Sequence, residues 1–433
     1  MTNDMTRGNP TRLIISFTLP VLFGNLCQQL YGMVDSIIVG RAISMEALAA
    51  VGATSGISFL VIGCIQGLTA GFSVITAQRF GAGDYEGVKR SVATSALLSL
   101  AATVLLTAAG ILTARPLLEV MNTPADIIED SYAYIIVIYY GVAATAFYNL
   151  LSCIIRALGD SKTPLIFLVF ASFLNVALDL LFIITFHMGV GGAAWATVIG
   201  QFCGMAVGIG INHVKNHEVR LNFRRFRPDW HSIKGIYQVG LPSIIMQSIG
   251  SVMTFGMNKI LIAFTETAVS VFGVYFKLQS FVFMPVFGVT NALVPIVGYN
   301  YGARSSQRIQ QATRLSLLMT TAIMALGTVI FQVAPGPLLS LFSASDTMLS
   351  IGIPALRIIS VSFCFAGVAI VFSSVFQALG DGMLSLVMSA VRQLLLLLPC
   401  AFVLAKLGGL DAVWFSFLIA EVASVTLAVV FYR

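Results

Sequence analysis

Charge is scarce in this sequence of 433 residues. Charged residues make up 10% of the chain and hydrophobic residues 58%, whereas a soluble globular domain carries about 25% charged residues. A chain this apolar cannot cover its surface with polar groups, so the sequence predicts a protein whose solvent is the lipid bilayer. Its positive charges are spread over loops between apolar segments, which argues against a nucleic-acid partner.

The motifs of several enzyme classes are also missing. The sequence contains no HExxH, GxxxxGK[ST], GxSxG or paired-aspartate motif, so hydrolysis by a metal, by a nucleotide site or by a serine lacks its reacting groups. The six cysteines are scattered without a CxxC pair, and the four histidines lie in loops or at the ends of apolar segments. We therefore expect neither an enzyme nor a bound cofactor.

Long apolar runs predict helices that cross the membrane, because one crossing takes about 20 apolar residues and lipid admits only helices or closed barrels. Six runs occur in each half of the chain. They lie near residues 13–39, 47–78, 90–113, 131–153, 164–186, 191–212, 236–264, 268–300, 312–334, 352–376, 383–405 and 411–432. The predicted fold class is an all-α polytopic membrane protein with twelve transmembrane helices.

Three short motifs recur at one interval and indicate that the two halves are copies of one folding unit. Each returns 221 residues later: Ala157-Leu158-Gly159-Asp160 as Ala378-Leu379-Gly380-Asp381, Gly81-Ala82 as Gly302-Ala303, and Pro116-Leu117-Leu118 as Pro337-Leu338-Leu339. Six crossings return the chain to its starting side, so the two six-helix lobes are parallel repeats. We predict an N-lobe over residues 1–213, a cytoplasmic linker over 214–234 and a C-lobe over 235–433.

Lysine and arginine favour cytoplasmic loops and therefore predict the orientation. With the N-terminus inside, seventeen of these residues fall on the cytoplasmic side, and only Arg41, Arg115 and Lys406 lie in outer loops. We therefore expect a multi-pass protein of the cell membrane with both termini in the cytoplasm.

Ionisable and polar residues inside the spans are costly in lipid and are the first candidates for function. A rise of about 1.5 Å per residue places several of them in the outer half of the bilayer, at similar depth. They are Asp35, Tyr139, Asn175, Asp179 and Thr197. Two carboxylates in a low-dielectric site need a proton or a cation, and their oxygen ligands suit H⁺ or Na⁺. The alternative is that the aspartates only hydrogen-bond neighbouring helices.

Over essentially its full length the chain resembles the multidrug and toxic compound extrusion (MATE) transporters. The matching pieces keep that family's order and spacing: Leu19-Pro20, Asp35, Ala47-Leu48-Ala49-Ala50-Val51-Gly52, Phe80-Gly81-Ala82-Gly83, the two Ala-Leu-Gly-Asp loops, and Asn175 with Asp179. Lys259 in the seventh span and the absence of an acid from the tenth distinguish the chain from NorM-type members, so it looks more like the DinF-like or MepA-like branches.

The resemblance implies two lobes that form a V around a central cavity, and alternating access in which inward H⁺ or Na⁺ drives export of amphipathic, mostly cationic compounds. It implies an ion site, with Na⁺ as one candidate ion, built from Asp35, Asn175, Asp179 and Thr197. Tyr139 is expected beside this site, and Pro20 is expected to bend the first span. We expect a monomer whose partners are small amphipathic molecules and membrane lipids.

The second half carries a different polar set, Lys277, Arg392 and Glu421, all placed well inside their spans. Arg392 and Glu421 lie at similar depth, so one interpretation is a buried ion pair that fixes helix register. The other is that the remaining charge of Lys277 contacts an anionic group of a substrate.

Two rival functions stay open at this point. A lipid-linked saccharide flippase has a related fold, but its phosphate-bearing substrate needs several cavity cations, and only Lys277 and Arg392 are evident. A membrane-embedded prenyl or acyl transferase belongs to another class and needs a metal or nucleophile constellation that the sequence lacks.

Overall fold

A computed structural model describes residues 5–121, 123–215, 229–342 and 344–432. These residues form sixteen α-helices and contain no β-strand. In the first half the helices are α1 (Pro10–Ala42), α2 (Met45–Gly81), α3 (Tyr85–Val120), α4 (Ile128–Tyr140), α5 (Val142–Ala157), α6 (Lys162–Asp179) and α7 (Gly189–Lys215).

The second half repeats this order with more interruptions. Its helices are α8 (Trp230–Ile262), α9 (Glu266–Gly302), α10 (Ser306–Val333), α11 (Pro335–Ser340), α12 (Asp346–Ser360), α13 (Phe363–Ala378), α14 (Gly382–Ala390), α15 (Leu398–Val413) and α16 (Phe415–Tyr432). Two π-helical turns occur as well. Leu180–Thr185 extends α6, and Val391–Leu397 joins α14 to α15.

The predicted fold class is confirmed. Within the described residues, ten helical segments are long and apolar enough to cross a membrane, and two bent helix pairs bring the total to twelve if each pair is one span. The bent pairs are α4 with α5 and α12 with α13, and each bends by 49°. Both were predicted as single runs, because hydropathy does not register a change of helix direction.

The structure divides into two compact units. Unit 1 contains the described residues before Gly8 and those of Leu19–Gly240, and unit 2 contains those of Gly8–Thr18 and Leu241–Arg433. The division therefore falls inside α1 and inside α8, one residue before Pro20 and Pro242. Most of the predicted linker, residues 216–228, lies outside the described residues, and α8 already begins at Trp230.

The repeated Ala-Leu-Gly-Asp motif has a structural explanation. Gly159 and Gly380 take positive φ angles of 90° and 94°, which end α5 and α13 in a conformation that suits glycine. The aspartate that follows each glycine stabilises the start of the next helix. The Asp160 carboxylate accepts from the backbone N–H of Thr163 at 3.0 Å, and that of Asp381 accepts from Leu384 at 3.4 Å. The motif thus encodes a helix stop followed by a helix start.

Small residues bring α2 against the first turns of α8 within unit 1. A Cβ atom added at Gly71 would lie 2.3 Å from the carbonyl oxygen of Ile236, and one added at Gly240 would lie 3.3 Å from that of Gly67. The two backbones are therefore in direct contact, as small residues four positions apart allow in membrane helices.

Unit 2 has an aromatic core beneath α16. The Phe272 ring on α9 lies 6.4 Å from Trp414 and 6.1 Å from Phe417, centroid to centroid, and Tyr275 lies 5.9 Å from Phe417. All four side chains are buried. This packing fixes α16 against α9, and α16 carries Glu421 at the next turn.

Candidate functional site

Two aspartates meet inside unit 1. Asp35 lies on α1 and Asp179 is the last residue of α6, yet their carboxyl groups interact directly. Asp179 is fully buried, with 0% of its surface exposed, and Asp35 is half-buried. The fold therefore brings together two acids that are 144 positions apart in the sequence.

Asn175 and Thr197 complete the polar set next to the aspartates. Asn175 lies one helical turn before Asp179 and is 3% exposed, and its Nδ2 donates to Thr197 Oγ1 on α7 at 3.2 Å. This bond uses the amide nitrogen, and the amide oxygen Oδ1 has no hydrogen-bond donor among the described residues. The structure thus brings four of the predicted site residues, Asp35, Asn175, Asp179 and Thr197, into one region of unit 1.

Four oxygen atoms of this region are buried without a hydrogen-bond partner among the described residues. They are Oδ1 of Asp35, both carboxylate oxygens of Asp179 and Oδ1 of Asn175. Of the salt bridges that the described residues form, none involves either aspartate. Buried acceptors are ordinarily satisfied and buried charges ordinarily paired, so this cluster requires a proton or a cation.

The donor set indicates which cations suit the region. Carboxylate, amide and hydroxyl oxygens are hard ligands that favour alkali or alkaline-earth ions over soft metals. Within the described ranges, His, Cys, Asp and Glu side chains form no group of three or more that could hold a metal ion. Two carboxylates with two neutral oxygens therefore suit one monovalent cation or one proton better than a transition metal.

A π-helical turn follows Asp179 on the fifth span. Ile183 of this turn, Leu180–Thr185, packs into a buried cluster with Val39 of α1 and Val190 of α7. The end of this span thus packs against α1 and α7, and π-helical segments often occur at functional sites. Close packing of α6 on α7 supports this arrangement, because a Cβ at Gly200 would lie 3.1 Å from the carbonyl oxygen of Ala171.

Two tyrosines near the acid pair were missed by the sequence analysis. Tyr31 and Tyr134 both lie within electrostatic range of Asp35 and Asp179. Tyr31 is one helical turn before Asp35, so its spacing was a usable signal. Tyr134 is on α4 and reaches the region only because α4 packs beside α1, which no local pattern reveals.

The structure does not bring Tyr139 to the aspartates. Its ring is 3% exposed and packs in a separate cluster with residues of α2, α3 and α5. A Cβ at Gly110 would lie 2.1 Å from this ring, so α3 approaches closely here. Depth and the family resemblance suggested Tyr139, whereas its direction on α4 points it to another set of neighbours.

Pro20 lies within α1, which runs without a break from Pro10 to Ala42. A proline inside a helix removes one backbone hydrogen bond and favours a kink. The proposed bending of the first span at Pro20 stays a prediction.

The polar residues predicted in the second half separate into two places in unit 2. Arg392 and Glu421 form an ion pair, with Nη1 3.4 Å from Oε1, and their side chains are 21% and 13% exposed. Lys277 is exposed, and its Nζ lies 5.8 Å from the centroid of the Phe342 ring. The predicted pairing of Arg392 with Glu421 is confirmed, and Lys277 is not part of it.

Comparison with known proteins supplies the family. The family model described as MatE matches the chain twice, over residues 20–181 and 242–403, one match in each half. The chain belongs to the MatE family. It is therefore a multi-pass membrane transporter, and the double match agrees with the internal repeat of this MatE protein.

Curated relatives of this MatE protein match along most of their length. The Probable multidrug resistance protein YpnP of Bacillus subtilis is 28% identical over 90% of this chain and 87% of its own. The Probable multidrug resistance protein NorM of Thermotoga maritima is 27% identical over 97% and 91%. Because a relative named NorM matches so fully, assignment to the DinF-like or MepA-like branch stays a prediction.

Solved structures share the fold throughout. A multidrug resistance MATE family transporter of the MOP superfamily, in its outward-facing conformation, has a TM-score of 0.90 and 28% sequence identity. The match covers 99% of this chain and 96% of the other. The helical fold of this MatE protein thus agrees with the structure of a solved relative along almost the whole chain.

Proposed function

We propose that the protein is a secondary active exporter of amphipathic, mostly cationic compounds, driven by inward movement of H⁺ or Na⁺. The observation that carries the proposal is the pairing of Asp35 with Asp179, whose buried oxygens lack partners within the described residues. A buried site with excess negative charge binds a cation in one state and must release it in another. Such a site is suited to coupling an ion to transport.

Coupling by this site follows from charge and accessibility. If the ion and the substrate favour opposite-facing states, or compete for the same carboxylates, binding of one reduces the affinity for the other, and the effect is reciprocal. Each inward positive charge contributes about 2.3 kcal/mol per 100 mV of membrane potential, in addition to its concentration gradient. Alternating access between two conformations then converts this free energy into export.

The substrate class is supported by the relatives and by the scarcity of unpaired positive charge in the spans. The curated relatives are named multidrug resistance proteins. In unit 2 the guanidinium of Arg392 is paired with Glu421, which leaves Lys277 as the exposed cation of that set. An organic cation therefore suits these spans better as a substrate than a phosphate-bearing lipid-linked saccharide does. The proposed transport includes no catalytic step.

We further propose a cell-membrane location with both termini in the cytoplasm and a monomeric transporter in contact with membrane lipids. The support for the orientation is the excess of Lys and Arg in the loops assigned to the inside, among them Arg79, Lys89 and Arg156. Part of that excess, from Arg220 to Arg227 and at Arg433, lies outside the described residues.

Transport by the purified protein in lipid vesicles tests the proposal. A fluorescent organic cation is loaded, and a Na⁺ gradient or a pH gradient is imposed separately. We expect movement of the dye with one of the two gradients in the wild type, and its loss in Asp35→Asn and Asp179→Asn. The matched control is Asp411→Asn, which removes an exposed carboxylate of unit 2 and should transport normally.

The outcomes separate the proposal from its rivals. Full gradient-driven transport by both Asn variants contradicts a coupling role for the acid pair. Movement of lipid-linked saccharide without ion-driven dye transport identifies a flippase, and formation of a reaction product without transport identifies a transferase.

A further inference from the structure

The two units use corresponding spans of the repeat to hold charge, but they neutralise it differently. In unit 1, Asp179 lies on the fifth span of the repeat and meets Asp35 of the first. In unit 2, Arg392 lies on the fifth span and Glu421 on the sixth. Each fifth span also contains a π-helical turn close to its charged residue. The fifth span of each repeat thus carries a charged residue in or next to a π-helical turn.

The acid pair of unit 1 has no cation paired with it among the described residues. In the part of the chain that the structure describes, neither Asp35 nor Asp179 forms an ion pair, and three of their four carboxylate oxygens are buried without a partner. The nearby titratable groups, Tyr31 and Tyr134, carry no positive charge. Neutralisation of this region must come from outside the protein.

Unit 2 carries its own cation. The guanidinium of Arg392 lies 3.4 Å from Glu421 Oε1, while Oε2 is buried without a hydrogen-bond partner. The groups that face the Glu421 carboxylate are Arg392 from the π-helical turn and Tyr275 from α9. Lys277 lies elsewhere, near the ring of Phe342. Among the described residues, Arg392 is therefore the cation that is paired with Glu421.

We propose that Arg392 is a tethered cation that takes, in unit 2, the role that an exchangeable ion has in unit 1. The inference rests on the proposed function and extends it: one chain exchanges ions through unit 1 only, and Glu421 is kept from becoming a second ion site. A guanidinium suits this role because it stays charged at all relevant pH values and, being covalently attached to the chain, cannot dissociate as a free ion does.

The test uses ion-dependent stability, so it does not require transport. The background variant is the full chain with Asp35→Asn and Asp179→Asn, which removes the acid pair of unit 1. Its melting temperature is measured in detergent at neutral and mildly acidic pH, with and without Na⁺. Arg392→Gln in this background leaves a buried unpaired carboxylate, which favours a proton or a cation. We expect acid or Na⁺ to raise the melting temperature of this variant by several degrees relative to the background.

Matched variants make the result specific to the ion pair. Arg392→Lys keeps a tethered cation and should respond to ions as the background does. Adding Glu421→Gln to Arg392→Gln removes the carboxylate and should abolish the new response. In a transport assay with unit 1 intact, Arg392→Gln should raise the number of ions moved per substrate molecule.

Two results overturn the inference. One is an Arg392→Gln variant that shows no new response to acid or Na⁺. The other is a change in ion response when Glu421→Gln is added to the background with Arg392 intact, since that shows Glu421 to be an ion site already. The second comparison decides the matter even if Arg392→Gln fails to fold. Either result leaves the proposed function standing, because loss of coupling in Asp35→Asn is measured separately.

Discussion

Asp229 offers a sharp prediction outside the membrane spans. Its carboxylate begins α8 and accepts from Arg79 Nη2 at 2.6 Å and from Ser232 Oγ at 2.7 Å. Arg79 also donates to the carbonyl oxygen of Gly87 at 2.9 Å. This arrangement ties the end of α2 and the start of α3 to the first turn of α8, all within unit 1. We expect Asp229→Asn to destabilise the protein at neutral pH.

The magnitude follows from the pKa of Asp229. Burial raises this pKa, but the bonds from Ser232, Arg79 and the His231 backbone outweigh burial and lower the pKa from 3.8 to about 2. At about 1.4 kcal/mol per pKa unit the full effect is about 2 kcal/mol. Since the Arg79 and Asp229 side chains are 16% and 22% exposed, solvent screening reduces the expected loss to about 1–2 kcal/mol.

The pH dependence has a definite sign. A carboxylate whose pKa is lowered by folding stabilises the protein above its unfolded pKa, and this contribution is lost as pH falls from about 4 towards about 2. Thermal unfolding of wild type and Asp229→Asn should therefore differ at neutral pH and converge on acidification. Asn keeps the ability to cap a helix, so Asp229→Ala, which removes charge and cap together, should be less stable still.

Two observations would refute this reasoning. Equal stability of wild type and Asp229→Asn at neutral pH would show that the ion pair contributes nothing. A difference that widens as pH falls would show that the carboxylate is destabilising in the folded protein. Arg79→Gln supplies the control, since it should reproduce most of the loss from the opposite partner.

Three further predictions concern the interior of unit 1. Gly71→Ala should sharply lower the yield of folded protein in detergent, because the added methyl group would lie 2.3 Å from a backbone oxygen of α8, whereas Gly52→Ala on the same helix meets nothing within 4 Å and should express normally. Thr197→Val removes the hydroxyl that accepts from the Asn175 amide, so half-maximal transport should need about five- to tenfold more coupling ion. Thr197→Ser keeps a hydroxyl and should leave this ion requirement unchanged. An unchanged ion requirement in Thr197→Val would contradict a role for Thr197 in the ion site. Tyr134→Phe should change the ion concentration that transport requires, and Tyr139→Phe should not. The reverse result would mean that Tyr139, rather than Tyr134, acts on the acid pair.

Sequence reasoning succeeds here where lipid imposes a strong constraint. Apolar runs of spanning length and a repeated loop motif identify the twelve spans and the two copies, because lipid admits only helices or closed barrels and runs of this length favour helices. The Ala-Leu-Gly-Asp loops recur for a definite reason, since Gly159 and Asp160 stop one helix and start the next. Such local rules can be read directly from the chain.

Features that depend on rotation about a helix axis could not be predicted in this way. Depth placed Tyr139 with the aspartates, but the structure turns it towards α3 and puts Tyr134 near the pair instead. The π-helical turn after Asp179 adds a rotation that no periodicity announces. The neighbours of a polar side chain are therefore decided by tertiary packing, whereas its depth is decided by the sequence.

Binding of the coupling ion to the purified protein tests the central claim most directly. Uptake of Na⁺ and of protons at equilibrium is compared for the wild type and for the Asp35→Asn, Asp179→Asn double variant. The account predicts that the wild type binds one of these ions and that the double variant loses this binding while remaining folded. Ion binding that is undiminished in the folded double variant would contradict it.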